Sequence, residues 1–414
     1  MKRLVLVWLV FATGCASDAP RAQEGEQVVL RVGTLIDGRG GVLEDTHLVI
    51  EGDRILTVGA WSGHVTWDLS NYTVMPGGID THVHLASHFG PDGHIATGAV
   101  RGEREVAQAT LSIMENAYLT LAAGFTTVQS LGSRQDIAVR DAIARGVLPG
   151  PRVLTSLEWV TDASQGEEGL RAAVRERVEA GADVVKIFAS LSIREAGVPT
   201  LTEDELRAAC DEAHRLNRRA IVHAHAAEAG LRAARAGCDQ IEHGILLNRE
   251  ALEAMAAEGM YYGPHVNLVF ENYFENRERY IGVGNYTEEG FEHMEQAKPV
   301  MEQLFREALS VPDLKIVFGT DAVAGAHGKN WEELIFRVEQ GGQDPMAAIV
   351  SATSLAAQSM GLGDQIGSLV DGYQADLLVL PGNPLTDISL LREAVMVMKG
   401  GQVVKNEIPW SRSP

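Results

Sequence analysis

The chain has 414 residues, a formal net charge of −21, 45% hydrophobic residues and 22% charged residues. This balance is typical of a globular protein with a large core, and the length suits one large domain with a small accessory domain. The acidic surplus argues against a nucleic-acid partner, because such surfaces need clustered Lys and Arg.

The first residues have the features of an export signal. A basic start precedes an apolar run, 4–12, that is too short to span a bilayer as a helix. The following Ala12-Thr13-Gly14-Cys15 resembles the lipobox of bacterial lipoproteins, except at Ala12, where that motif usually has Leu. We expect residues 1–15 to be a lipoprotein-type signal peptide with a lipid on Cys15 as the only membrane contact. Ordinary signal cleavage near Ala16 or Ala19 is the alternative, which would leave the protein soluble in the periplasm or secreted.

Short β-type runs with Gly and Asp turns lie near both chain ends. In chain order they span 28–33, 47–52, 375–380, 395–398 and 402–404, with a Gly400-Gly401 hairpin signal before the last run. The simplest assembly is a small β-sandwich domain formed jointly by residues 27–75 and 359–408.

Between these ends, β-type runs alternate with helical stretches, which indicates βα units around a parallel sheet. Eight runs predict an α/β fold, a (β/α)₈ TIM barrel, over residues 76–358. The runs span 75–84, 125–131, 153–160, 184–189, 220–225, 240–245, 260–266 and 315–321.

Helices are predicted at 167–180, 202–216 and 227–236, and Thr202 with Glu205 has the pattern of a capping box. The long connection 268–313 should carry further helices over the C-terminal end of the seventh strand, where a barrel builds its pocket.

Two cysteines, Cys210 and Cys238, remain after Cys15. An exported protein could pair them, and the sequence does not decide the question. Because Cys210 lies in an apolar helical stretch, a buried free thiol is the preferred interpretation.

Two histidines end the first barrel strand in Asp80-Thr81-His82-Val83-His84. Residues i and i+2 of a strand point to one side, so two imidazoles can reach one cation. Three more strand ends carry His or Asp, in His223-Ala224-His225, Glu242-His243 and Thr320-Asp321. The C-terminal ends of barrel strands converge on one face, so the pattern favours a metal site over a core histidine or a helix cap.

Lys186 lies in the fourth strand, in Val184-Val185-Lys186-Ile187-Phe188. An apolar environment would favour its neutral amine, which can react with carbon dioxide to give a carbamate. Such a group would supply a carboxylate that bridges two metals. Taken alone, a strand lysine more often pairs with an acid or reaches solvent.

Together these segments resemble the motif series of the amidohydrolase superfamily. The resemblance covers roughly residues 28–405, and it includes Pro76-Gly77-Gly78-Ile79, the Lys186 strand, Gly319-Thr320-Asp321, 122–128 and 375–379. Within the superfamily the chain is most similar to the imidazolonepropionase-like branch that includes exported prolidases and related dipeptide carboxypeptidases.

The resemblance implies two divalent metal ions, expected to be zinc. The first would be held by His82, His84 and Asp321, the second by His225 and His243, with a carbamate on Lys186 as the bridge. His225 is preferred to His223 because His225-Ala226-Ala227-Glu228 is similar to the family's H-x-x-E spacing. Asp321 would take a proton from the bridging water and pass it to the leaving amine. Candidate substrate contacts are His223, Glu228, His265 and His327, whereas His88 and His94 are expected at the surface.

The activity implied is hydrolysis of an amide C–N bond, in small peptides or N-acyl amino acids, through a metal-bridging hydroxide. A cyclic amidase, lactonase or deaminase on the same scaffold is the alternative, although deaminases commonly use one metal and lack the lysine. A catalytically silent lipid-anchored binding protein is disfavoured, because no expected ligand is missing. The expected partner is a small-molecule or peptide substrate, and a homo-oligomer is compatible with the sequence.

Overall fold

The computed structural model describes residues 27–96, 102–161, 164 and 166–408. The predicted signal peptide and Cys15 lie outside these residues. None of the described helices is both long enough and apolar enough to cross a membrane.

The two chain ends meet in one seven-stranded sheet. Its strands are β1 (Gln27–Ile36), β2 (Val42–Glu51), β3 (Arg54–Gly59), β4 (Trp67–Pro76), β13 (Leu377–Leu380), β14 (Met396–Lys399) and β15 (Gln402–Asn406). Their order is β15-β14-β13-β4-β1-β2-β3, so the pairing of β4 with β13 joins the N-terminal and C-terminal parts. Side chains from both parts, including Leu48, Val74 and Met396, form a separate hydrophobic cluster. The two β-rich ends therefore form one hydrogen-bonded sheet with its own hydrophobic cluster.

Each of the eight predicted central runs overlaps a strand. They are β5 (Gly78–Val83), β6 (Phe125–Ser130), β7 (Arg152–Thr155), β8 (Val185–Phe188), β9 (Ala220–Ala226), β10 (Gln240–Leu246), β11 (Tyr261–Gly263) and β12 (Lys315–Ile316). All neighbours pair in parallel, in sheets ordered β5-β6-β7 and β12-β11-β10-β9-β8. Single parallel bridges connect the sheets at both edges, Val160 with Ile187 and Val83 with Ala322.

The last strand is shorter than the predicted run 315–321. After Val317 the backbone leaves the regular ladder, and the amide of Phe318 donates to the carbonyl of Ser351 at 3.0 Å. The segment then runs along β5, because the carbonyl of Phe318 accepts from the amide of Thr81 at 3.2 Å and the amide of Asp321 donates to the carbonyl of His82 at 2.8 Å. This irregular path brings Asp321 beside the first strand.

Helices cover the strands. They are α1 (Glu103–Ala122), α2 (Asp136–Ala144), α3 (Gly166–Glu179), α4 (Glu203–Arg215), α5 (Ala227–Arg235), α6 (Arg249–Ala257), α7 (Leu268–Glu275), α8 (Arg277–Tyr280), α9 (Glu288–Ala308), α10 (Trp331–Glu339), α11 (Pro345–Ser351) and α12 (Ser354–Ser359). The capping box predicted at Thr202 and Glu205 is confirmed at the start of α4. The connection after the seventh strand carries α7, α8 and α9, as predicted.

A buried ion pair on α10 holds the last two strand ends together. The carboxylate of Glu333 accepts three backbone amides, from 266, 267 and 268. Arg337 donates to that carboxylate at 3.0 Å and to the carbonyls of Val317 and Pro264. Because both charges are fully paired in the interior, they position the backbone on which His265 and Asp321 lie.

The expectation of a free thiol at Cys210 is wrong, because Cys210 and Cys238 form a disulfide. Cys210 lies on α4 and Cys238 follows α5, and packing of these neighbouring helices leaves the two Cα atoms 5.4 Å apart. That separation is within the range that a disulfide requires. Helical periodicity along α4 shows that Cys210 is buried but does not show which residue it faces.

Replacing both cysteines by Ser is expected to lower the free energy of unfolding by about 3–4 kcal/mol, because the bond closes a loop between residues 28 apart in sequence. Chemical denaturation of the oxidised protein, the reduced protein and the Cys210→Ser/Cys238→Ser variant measures the effect. The reduced protein should behave like the variant. Equal stability of all three would contradict the prediction.

Candidate active site

The candidate ligands lie at one end of the parallel strands. His82 ends β5 and His84 follows it, Lys186 lies in β8, and Glu242 with His243 lies in β10. Since all these strands run in the same direction, their C-terminal ends meet on one face. The sequence-predicted residues at this face are thereby brought together.

His82, His84 and Asp321 form the first cluster. Oδ1 of Asp321 lies 3.0 Å from Nε2 of His84 and 3.4 Å from Nε2 of His82. The two Nε2 atoms are 3.3 Å apart. Three potential ligand atoms thus converge on one point, the arrangement that a cation requires.

His243 and His265 form a second cluster with His82. Nδ1 of His265 lies 2.8 Å from Nδ1 of His243, and Nδ1 of His243 lies 3.9 Å from Oδ2 of Asp321. Asp321 therefore lies between the two groups of histidines. The structure places His265, predicted as a substrate contact, among the ligand candidates.

Glu242 supports these rings from the interior. Its Oε2 lies 3.1 Å from Nδ1 of His82 and 3.2 Å from Nε2 of His265, and Oε1 accepts a hydrogen bond from Gln240 at 2.7 Å. Although burial opposes ionisation, His82 and His265 hold the pKa of Glu242 well below its usual range. A carboxylate on the outer nitrogen of a histidine fixes the tautomer and aims the inner nitrogen at a metal.

Lys186 is 1% exposed, and its Nζ has no hydrogen-bond partner among the residues that the structure describes. Burial lowers the pKa of Lys186 to about 8, against the opposing effect of Glu242 and Asp321. A buried amine without a partner is rare and calls for an explanation. A substantial neutral fraction near neutral pH is what reaction with carbon dioxide requires.

His223 and His225 both reach the second group of ligands. The ring centroid of His223 lies 4.6 Å from that of His243, and that of His225 lies 5.1 Å away. Besides burial, His225 and Lys186 lower the pKa of His223, whereas Arg194 is the charge that most lowers the pKa of His225.

Burial disfavours the charged form of three imidazoles at the site. Burial lowers the pKa of His82 and of His225 to about 3, and it lowers the pKa of His243 well below 6.5. Neutral imidazole is the form that binds metals. Despite burial, His82 and His84 hold the pKa of Asp321 low, so its carboxylate is ionised.

Two residues of the site have an unusual backbone conformation. His243 has φ +66° and Asp321 has φ +53°, in a region that L-residues seldom adopt. Such conformations tend to cluster at functional sites. A Cβ on Gly319 would lie 3.0 Å from Nε2 of His265 and 3.3 Å from Cβ of His82, so this close approach favours glycine.

Two predicted substrate contacts lie elsewhere. His327 is buried behind the first ligands, with Nε2 3.2 Å from the carbonyl oxygen of His84, and does not line the cavity. Glu228 is exposed on α5, where it pairs with Arg232 one turn later. Neither side chain lines the cavity. His88 is half-buried and His94 exposed, and both line the cavity rim.

Two supporting groups were missed by the sequence analysis. Asp80 accepts hydrogen bonds from the hydroxyl of Thr320 at 2.6 Å and the amide of Asn330 at 2.8 Å, and burial raises its pKa to about 6. Glu242 is the second supporting group that was not predicted. A charged residue inside an apolar strand was a signal for each, whereas Arg194, in a short 3₁₀ helix after β8, has no motif around it.

The site opens into a cavity of about 1900 Å³. Its walls include aromatic side chains, among them Trp159, Phe188, Tyr273 and Tyr286. This volume exceeds the roughly 300–1,000 Å³ of common small-molecule sites. The cavity has room for a ligand with bulky groups on both sides of the metal-ligand candidates.

A model described as the amidohydrolase family matches residues 73–404, so the chain belongs to the amidohydrolase family. The chain is 26% identical to ochratoxinase from Aspergillus niger over 440 aligned positions, which cover 94% of this chain and 89% of the relative. The crystal structure of that enzyme covers 93% of this chain and 96% of its own, with 25% identity and a TM-score of 0.77.

A crystal structure of a Xaa-Pro dipeptidase with bound methionine is similar over 92% of this chain and 100% of that chain, with 31% identity and a TM-score of 0.81. A prolidase complexed with N-methylphosphonate-L-proline has the same coverage, 28% identity and a TM-score of 0.80. The predicted prolidase-like branch of the superfamily is confirmed. The relatives indicate a hydrolytic enzyme that acts on carbon–nitrogen bonds.

Proposed function

We propose that the protein is a binuclear metal-dependent amidohydrolase that cleaves amide bonds of small peptides or N-acyl amino acids. The observation that carries the proposal is the convergence of His82, His84 and Asp321 beside the unpartnered Nζ of Lys186. The relatives named ochratoxinase and Xaa-Pro dipeptidase favour this choice of substrate class.

The donor set fits two divalent cations, for which zinc is the expected metal. Neutral imidazole nitrogens and an ionised carboxylate are suitable ligands for zinc. Lys186, as its carbamate, would add a carboxylate between the two groups of histidines. When bound, two such ions acidify a water and polarise the carbonyl of the substrate.

A residue of the chain then transfers the proton from the attacking water to the leaving amine. Asp321 lies between the histidine groups, with its carboxylate 3.0 Å from His84 and 3.9 Å from His243. It is therefore placed to accept a proton from the attacking water and to donate it to the leaving amine. Glu242 keeps His82 and His265 oriented while this happens.

We further propose that the closed strand order is a (β/α)₈ barrel over residues 76–358 and that the seven-stranded sheet, 27–75 with 359–408, is a small β-sandwich. The proposed lipoprotein signal, 1–15 with lipidated Cys15, would place the mature protein on the periplasmic face of the cell envelope. Mass spectrometry of the mature N-terminus tests the lipidation.

To test the activity, the mature protein is purified with zinc, its metal is quantified, and dipeptides and N-acyl amino acids are screened for hydrolysis. About two metals per chain and hydrolysis that a chelator abolishes are expected, as a bridged site requires. A protein that holds two metals and cleaves no amide in the panel would refute the proposed activity but not the metal site.

The number of bound metals tests which of two neighbouring histidines, His223 or His225, is a ligand of the second metal. His223→Ala is expected to remove about one metal per chain, because a tetrahedral site has few ligands to spare. His223 is chosen over His225 because its ring lies nearer His243. The matched variant His225→Ala should keep both metals and weaken substrate binding. The reverse outcome would restore His225 as the ligand, as the sequence analysis preferred.

A further inference from the structure

We propose that Arg194 binds a free carboxylate of the substrate and thereby restricts the enzyme to amides that carry an acid group beside the scissile bond. This inference rests on the proposed amidohydrolase function. It assigns to Arg194 the recognition of a free carboxylate, which the metal-ligand candidates cannot select by themselves.

The first argument is the balance of charge in the cavity. Four basic side chains line it, namely Arg134, Arg177, Lys186 and Arg194. Arg134 and Arg177 are each paired with both Glu158 and Glu176. Lys186 lies among the metal-ligand candidates. Among the residues that the structure describes, Arg194 forms no ion pair with a carboxylate. Its positive charge in the cavity wall can therefore bind an acidic group of the substrate.

The second argument is the rigidity of the guanidinium. Its central carbon lies 4.1 Å from the ring centroid of Tyr286 and 5.5 Å from that of Tyr273, and Nε donates to Oδ1 of Asn285 at 2.9 Å. Asn285 is itself held by a hydrogen bond to Glu195. Arg194 also forms a side-chain hydrogen bond with Tyr273. A planar guanidinium held in this way has further N–H groups with which to bind a carboxylate.

The third argument is location. Arg194 lies in the 3₁₀ helix Ile193–Glu195, and the following loop touches β9, since a Cβ on Gly197 would lie 2.6 Å from Cβ of His225. Arg194 also lines the same cavity as Asp321. A carboxylate bound by Arg194 would therefore lie in the cavity that holds the metal-ligand candidates. The large aromatic cavity then accommodates the acyl group.

The test compares N-benzoyl-L-leucine with its C-terminal amide, using the metal-loaded protein. Benzoate release gives kcat/KM, and calorimetry in an Asp321→Asn background gives Kd with turnover blocked. Wild type should prefer the acid in both measurements. Arg194→Gln should reduce this preference by about 10- to 100-fold, the range expected for one charge-assisted hydrogen-bonded pair. Arg194→Lys should restore part of it, and the matched variant Arg134→Gln should keep it.

Because each ratio is measured within one protein, a partly unfolded variant does not distort it. Equal binding of acid and amide by wild type, binding of neither, or an acid preference that survives in Arg194→Gln would overturn the role of Arg194. Selective, Arg194-dependent binding without release of benzoate would refute the proposed hydrolysis and leave the carboxylate site standing.

Discussion

Asp321→Asn is expected to lower kcat/KM by about 10³-fold, the middle of the range for loss of a general acid–base group. Asn keeps an oxygen where the carboxylate lies 3.0 Å from His84, but it can neither accept nor return a proton. The loss should therefore appear mainly in kcat. Steady-state kinetics together with the metal content of the same samples provide the measurement.

The matched control is Asp239→Asn. Asp239 precedes β10, at the opposite end of the strand from His243, and pairs with His214 at 2.8 Å. This variant should keep its metal and its kcat. If Asp321→Asn retained more than about a tenth of wild-type kcat/KM, general acid–base catalysis by Asp321 would be excluded.

The convergence of the ligand candidates could be predicted because it depends on periodicity alone. His82 and His84 alternate with Val83, and strand ends in parallel βα units lie on the same side. The structure places these residues as the pattern predicts. It also shows that Asp321 reaches β5 by leaving the regular ladder, a detail that no run of β-type residues reveals.

Contacts between distant side chains could not be predicted. The pairing of Cys210 with Cys238 depends on which faces of α4 and α5 meet. His327 lies eleven residues beyond the last barrel strand, and the intervening turn places it behind His84. The position of Arg194 in the cavity depends on its stacking with Tyr286, which lies some 90 residues later in the sequence. Local sequence contains none of this information.

Lys186→Ala is expected to remove at least one metal per chain and to abolish hydrolysis, because a bridged pair of cations needs the carboxylate that the modified lysine would supply. The native amine is buried, unpartnered and shifted in pKa to about 8, so carbon dioxide can reach a neutral nucleophile. Metal analysis and activity, each measured with and without bicarbonate for wild type, test this. Short carboxylic acids such as acetate should partly restore activity to the variant, since they can occupy the space that the side chain leaves.

Lys315→Ala is the matched control. Lys315 also lies on a central strand, but it donates to the carbonyl of Gly259 at 3.0 Å and has no part in the site. That variant should retain both metals. Binding of one metal by wild type, or activity indifferent to Lys186, would argue against the bridged centre and favour a mononuclear deaminase on the same scaffold. In that case the buried amine of Lys186 would need another hydrogen-bond partner, and the substrate would be the first candidate.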